Sequence, residues 1–145
     1  MAEFKLVISQ PKNGKTVQKE LKDDAARAVL GLKIGDAVRG DVIGFAGYEF
    51  QITGGSDHCG FPMRKDLPGA VRKKILTLTG IGVNPYKTKT LKTKPYQFHP
   101  GSKQRKTVCG NTIHEKIVQI NMKVTKEGSQ TLFEKPAAEA PVATV

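Results

Sequence analysis

Lysines alternate with threonines in the run Asn84-Pro85-Tyr86-Lys87-Thr88-Lys89-Thr90-Leu91-Lys92-Thr93-Lys94-Pro95-Tyr96. In an extended backbone Lys87 and Lys89 share one side, as do Lys92 and Lys94. Ammonium groups and threonine hydroxyls both bind phosphate oxygens, and the rings of Tyr86 and Tyr96 can stack on unpaired bases. Clusters of the same chemistry stand at Arg64-Lys65, at Arg72-Lys73-Lys74 and at Lys103-Gln104-Arg105-Lys106. Taken one at a time, each could be a solvated basic loop.

The distribution of charge separates the two readings. The chain of 145 residues carries a net charge of +11. Residues 1 to 60 hold eight bases and eight acids, and residues 117 to 145 hold three of each. Residues 61 to 116 hold thirteen bases against Asp66 and Glu115 alone, so the whole excess lies in this one segment. Mixed signs would keep a surface soluble at lower self-repulsion, whereas a one-sign segment gains from an opposite-sign partner. Nucleic acid is the expected partner. An anionic membrane would call for an amphipathic helix, and a segment rich in Thr, Gly and Pro does not supply one.

A second motif precedes the lysine run: Gly54-Gly55-Ser56-Asp57-His58-Cys59-Gly60-Phe61-Pro62-Met63-Arg64. Glycines allow positive φ and close approach of another backbone. Asp57 can form an Asx-turn, and Phe61 before Pro62 is driven to an extended conformation. The expectation is a shaped loop against an RNA backbone, with Gly54, Gly55, Ser56, Asp57, Gly60, Phe61, Pro62 and Met63 facing the RNA. A purely structural hairpin loop fits these residue types equally well. No Lys-Ser/Thr pair opens a helix after the glycines, so this is not a nucleotide-binding loop.

His58, Cys59, Cys109 and His114 are the side chains that could hold zinc or act as nucleophiles. There is no Cys-x-x-Cys pair, and the adjacent His58 and Cys59 would bite one ion awkwardly. A Cys-His nucleophile needs an orienting third group and a pocket, and nothing in the sequence supplies either. No metal, cofactor, small-molecule substrate or catalytic residue is expected. Two cysteines are too few for a disulfide framework, and MAEFKLVISQ has neither the basic start nor the apolar run of a signal peptide. A cytoplasmic protein with reduced thiols follows.

The elements that must carry these motifs are short strands. Phe4, Leu6 and Ile8 alternate with Lys5, Val7 and Ser9, Asn13-Gly14 turns the chain, and residues 16 to 21 return. Asp23 or Asp24 can cap one short helix that Gly31 ends. Strands follow at 37 to 43 and 48 to 53. Residues 71 to 79 alternate again, and Val118, Ile120, Met122 and Val124 share a face of the clearest strand, 117 to 125. Residues 130 to 134 read as a strand pairing back onto it. Residues 80 to 106, with Pro85, Pro95 and Pro100, read as a long basic loop with room for a short strand. The predicted fold is all-β and mainly antiparallel. It is a small β-barrel over residues 1 to 134, because closure removes exposed edges. The tail 135 to 145 is small, Pro-containing and expected to be disordered.

The run Ile52-Thr53-Gly54-Gly55-Ser56-Asp57 with Gly60-Phe61-Pro62-Met63 resembles the signature of the archaeal and eukaryotic small-subunit ribosomal protein family S-six-e. Arg105-Lys106-Thr107-Val108 with Gly110 resembles that family's second basic motif, in the expected order. The resemblance covers about residues 1 to 134. It implies a β-barrel bound to small-subunit ribosomal RNA beside neighbouring ribosomal proteins, with a structural and assembly role and no catalysis. Two departures stand out. The long basic, phosphorylated C-terminal helix of eukaryotic members has no counterpart in the neutral tail, and His58-Cys59 and Cys109 occupy positions where polar or basic residues are expected. The competing reading is a free RNA-binding or chaperone module, which would bind many RNAs with similar affinity.

Overall fold

The computed structural model describes residues 3–83, 86–87, 96–97, 103–128 and 132. Strand β1 (Phe4–Gln10) turns at Gly14, whose φ is +64°, into β2 (Lys15–Leu21), and the two pair antiparallel from Phe4 opposite Leu21 to Gln10 opposite Lys15. Phe4, Leu6 and Ile8 are buried, as their alternation requires. Helix α1 (Asp23–Val29) follows and buries Ala26 and Val29. Its N-cap position falls at Lys22, before both aspartates, and has no side-chain cap hydrogen bond; Asp24 pairs with Arg27 one turn on. Gly31, just past the helix, has φ +82°, the left-handed stop that glycine permits.

The next strand is shorter than its sequence suggests. β3 (Ala37–Arg39) ends where Gly40 enters a one-turn helix, α2 (Gly40–Ile43). A Cβ at Gly40 would meet the carbonyl oxygen of Phe45 at 2.1 Å, so the turn depends on glycine there. β4 (Glu49–Asp57) is longer than expected and carries the Gly54-Gly55-Ser56 stretch as strand. β5 (Lys73–Thr77) and β8 (Gln104–Val108) form a two-stranded antiparallel ribbon, and β6 (Tyr86–Lys87) with β7 (Tyr96–Gln97) forms a second, very short one. The last strand among the described residues is β9 (Ile117–Lys126).

The main sheet runs β2-β1-β9-β4-β3. All its pairs are antiparallel except β1 with β9, which run parallel from Lys5 beside Gln119 to Ser9 beside Lys123. The all-β prediction holds, but among the described residues the sheet does not close into a barrel: β2 and β3 remain as edges. What bridges the gap is a side chain rather than a ladder. Lys19 of β2 donates to the Ile43 carbonyl at 2.7 Å, and its ammonium lies 4.1 Å from the centroid of the Phe45 ring. A helical turn after β3 takes the place of the strand that closure would need, and the edge β2 keeps a charged lysine, a common protection against further pairing.

The core is continuous. Phe4, Leu6 and Ile8 of β1, Phe50 and Ile52 of β4, and Ile120, Met122 and Val124 of β9 meet Leu21, Val29, Ile43, Ile113 and Met63. Each such side chain contributes about 1.5–3 kcal/mol when fully buried. Leu132 packs partly against this core. The return strand expected at 130 to 134 and the tail 135 to 145 otherwise lie outside the described residues.

Candidate nucleic-acid interface

β4 pairs with β9 through a bulge: Ile52 faces Met122 and Gly54 faces Asn121, leaving Thr53 as the extra residue. Gly55 then lies so close to β9 that a Cβ would meet the Gln119 carbonyl oxygen at 2.4 Å and the Met63 sulfur at 3.1 Å. The close backbone approach expected of these glycines is therefore made, at Gly55, by the protein's own strand. Gly54 has open space where its Cβ would be.

Beyond β4 the chain makes the Asx-turn foreseen at Asp57. The Oδ1 atom of Asp57 accepts from the backbone N–H of Cys59 at 2.9 Å and of Phe61 at 2.8 Å. Gly60, with φ +79°, completes the turn, and its N–H donates to the Asp57 carbonyl at 2.9 Å. Phe61-Pro62-Met63 then runs back along β4, where the Met63 N–H reaches the Gly55 carbonyl at 2.9 Å. On its other side the same segment meets the end of β8. The Cys109 N–H donates to the Pro62 carbonyl at 2.9 Å, and the Arg64 N–H to the Cys109 carbonyl at 3.0 Å. The Gly-Phe-Pro-Met segment thus joins the main sheet to the β5–β8 ribbon.

Asp57 is the hub of this junction, with a side chain wholly shielded from solvent. Its Oδ2 accepts from Nε of Arg72 at 2.5 Å and from the thiol of Cys109 at 3.1 Å. Burial pushes the carboxyl up, but the hydrogen bonds from Cys109, the Phe61 N–H, Arg72 and the Cys59 N–H outweigh it and hold Asp57 below the usual carboxylate range. Burial and the adjacent carboxylate push the Cys109 thiol up to about 11. It is therefore a neutral donor at physiological pH and neither a nucleophile nor a ready zinc ligand. Arg72 reaches the His58 ring nitrogens at 3.3 Å with Nη2 and lies 5.3 Å from the Phe61 ring centroid.

The predicted RNA-binding side chains fall into four groups. Lys65, Lys73, Lys74, Lys103 and Arg105 are exposed. Arg64, Arg72 and Lys106 are half-buried; Arg64 bonds Asp66 at 2.7 Å and Arg72 is held by Asp57. Tyr86, Lys87 and Tyr96 stand in the second ribbon, with Lys87 opposite Tyr96, and are described there by backbone alone. Lys89, Lys92 and Lys94 lie outside the described residues. In the glycine-rich loop, Asp57 and Met63 are buried, Gly54, Gly55, Ser56, Phe61 and Pro62 are half-buried, and Gly60 is exposed. The side chains of Asp57 and Met63 shape this loop from within. Among the described residues no group of three or more His, Cys, Asp and Glu side chains could hold a metal ion; His114 faces the Thr112 carbonyl at 3.3 Å and Cys59 is exposed.

Two features escaped sequence reasoning. Cys109 and His58 turn out to be the partners that fix Asp57 and Arg72, which no spacing rule links. Leu76 and Leu78 are exposed by 60% and 45%, so the ribbon has an apolar outer face. The alternation of residues 71 to 79 is the signal for that face, but it does not tell which side meets solvent.

The described residues define a class of all-β protein whose main sheet is joined by a two-stranded ribbon, β5 with β8, that carries basic residues and no acid. The chain belongs to the family described as Ribosomal protein S6e, whose profile matches residues 4–135. Among its relatives is the small ribosomal subunit protein eS6 of Methanoculleus marisnigri, 40% identical, with 97% of this chain and 99% of the relative covered. The protein of the same name in Methanothermobacter thermautotrophicus is 42% identical over 94% of this chain and 97% of its own length. That of Nitrosopumilus maritimus is 40% identical over 97% and 91%.

Proposed function

We propose that this protein is a structural constituent of the small ribosomal subunit, in the cytoplasm, and that it binds small-subunit ribosomal RNA directly. What supports the first part is the family, with relatives named as small ribosomal subunit proteins over nearly the whole chain. What supports the second is the run from Leu67 to His114 without a single acidic residue, together with the exposure of Lys65, Lys73, Lys74, Lys103 and Arg105. These cations would neutralise phosphates, with the Lys87, Lys89, Lys92 and Lys94 run adding more. The Asp57 turn would hold the rigid corner from which the basic elements project. Neighbouring ribosomal proteins are the further partners of this reading, and its role is structural rather than catalytic.

The deciding experiment is co-sedimentation. The protein should stay with small subunits through a moderate-salt gradient and should prefer one region of ribosomal RNA in footprinting. A protein running free at the top of the gradient, binding many RNAs alike, would favour the free RNA-binding module instead.

A further inference from the structure

The β5–β8 ribbon has two unlike faces. Strand pairing sets Leu76 opposite Arg105 and Lys74 opposite Thr107 on one of them. Leu78 and Lys103 lie just beyond the last pair of that ladder, Thr77 with Gln104. Lys74, Leu76, Leu78, Lys103 and Arg105 are all exposed. The opposite face carries Ile75, Thr77, Gln104 and Lys106, all half-buried, Val108, fully buried, and Lys73, exposed at the start of the strand. The outward face is therefore two leucines set among three cations, with no acid in that stretch of chain. Exposed leucines gain nothing from water, and paired with cations they match a partner that offers apolar area and negative charge together.

A fully paired RNA helix offers phosphates but keeps its base faces stacked inside. An unpaired nucleotide offers a flat apolar base and a ribose between two phosphates. We infer that this outward face seats unstacked nucleotides, with Leu76 and Leu78 against a base or ribose and Lys74, Lys103 and Arg105 on the flanking phosphates. This rests on the RNA-binding reading above and adds to it the state of the RNA that is recognised. Charge favours RNA over a neighbouring protein as the occupant, because the three cations need more than one compensating anion.

The test uses the full chain with two probes, a fluorescent single-stranded dodecauridine and a blunt duplex of the same length, titrated at several salt concentrations. The double variant Leu76→Ala with Leu78→Ala should weaken single-strand binding by about fivefold or more, since both leucines lose the apolar area they would lay against a base or ribose. Duplex binding should stay within about twofold, and the salt slope on both probes should not change. The variant Lys74→Ala with Arg105→Ala should instead weaken both probes and flatten the slope by up to about two units. Single-strand binding unaffected by the leucine changes would overturn the inference. So would a dimer of the wild-type protein that the leucine variant loses, because the face would then belong to a second copy. Failure of the wild-type protein to bind either probe at low salt would sink the RNA-binding reading itself, a different outcome from loss of the leucine effect alone.

Discussion

The thiol of Cys109 donates a hydrogen bond of 3.1 Å to Oδ2 of Asp57, 52 positions earlier in the chain. The same oxygen takes Nε of Arg72 at 2.5 Å, so one buried carboxylate ties together the turn after β4, the entry to β5 and the exit of β8. The proposed RNA surface is built outward from this knot, since the exposed lysines lie on the strands it clamps.

Asp57 should govern acid stability. Its folded pKa lies below the ordinary 3.8. Its contribution is therefore complete above that value and is lost as pH falls through the folded one. Replacement by Asn should cost about 2–3 kcal/mol at pH 7, toward the low side for a broken ion pair because Arg72 is one-third exposed. Urea denaturation at neutral pH and at pH 3 checks this: the gap between wild type and variant should narrow in acid. A gap independent of pH would mean the charge of Asp57 contributes nothing.

The two thiols should differ sharply in reactivity. Cys59 is exposed and Cys109 is buried, with its pKa pushed up to about 11. A thiol reagent should label one cysteine in the native protein and both in denaturant. Cys59→Ser should change stability by less than about 0.5 kcal/mol, and Cys109→Ala should cost about 1–2 kcal/mol through loss of a buried donor. Rapid native labelling of Cys109 would contradict this arrangement.

Neighbouring glycines should respond oppositely. Gly55→Ala would push a methyl group into the Gln119 carbonyl of β9, and an overpacked site of that kind costs about 1–3 kcal/mol. Gly54→Ala meets nothing within 4 Å and should leave the melting temperature nearly unchanged. Equal losses at both positions would mean that β4 and β9 do not pair in this register.

Arg72 and the other basic residues should separate in the salt dependence of RNA binding. Changing Lys73, Lys74 and Arg105 to Ala should flatten the slope by up to about one unit per lost phosphate contact, and so should changing Lys87, Lys89, Lys92 and Lys94. Arg72→Ala should instead lower the melting temperature, because it strands Asp57 without its cation. An Arg72 variant with normal stability and a flattened slope would show that Arg72 serves the RNA rather than the fold.

The strands were largely legible in the sequence because side-chain alternation is a local property of extended backbone. Phe4, Leu6 and Ile8, and then Ile120, Met122 and Val124, announce their buried faces in this way. The family is legible too, since its motif residues are contiguous. The errors have identifiable causes, one local and one long-range. Gly40 looked like a strand residue, yet it starts a helical turn because only glycine fits beneath the Phe45 carbonyl. Gly54-Gly55-Ser56 looked like a loop, yet β9 holds it as strand.

By itself the sequence determined the all-β class, the hairpin, the helix position and the confinement of positive charge to residues 61 to 116, because composition, period and turn chemistry act over a few neighbours. Tertiary structure alone decided which residues meet across long separations. It set β1 parallel to β9, left the sheet open between β2 and β3, and turned Asp57 inward to Arg72 and Cys109. An aspartate in a glycine-rich loop looks the same whether it faces RNA or an arginine of its own chain. Only burial, which depends on every strand packed around it, separates the two.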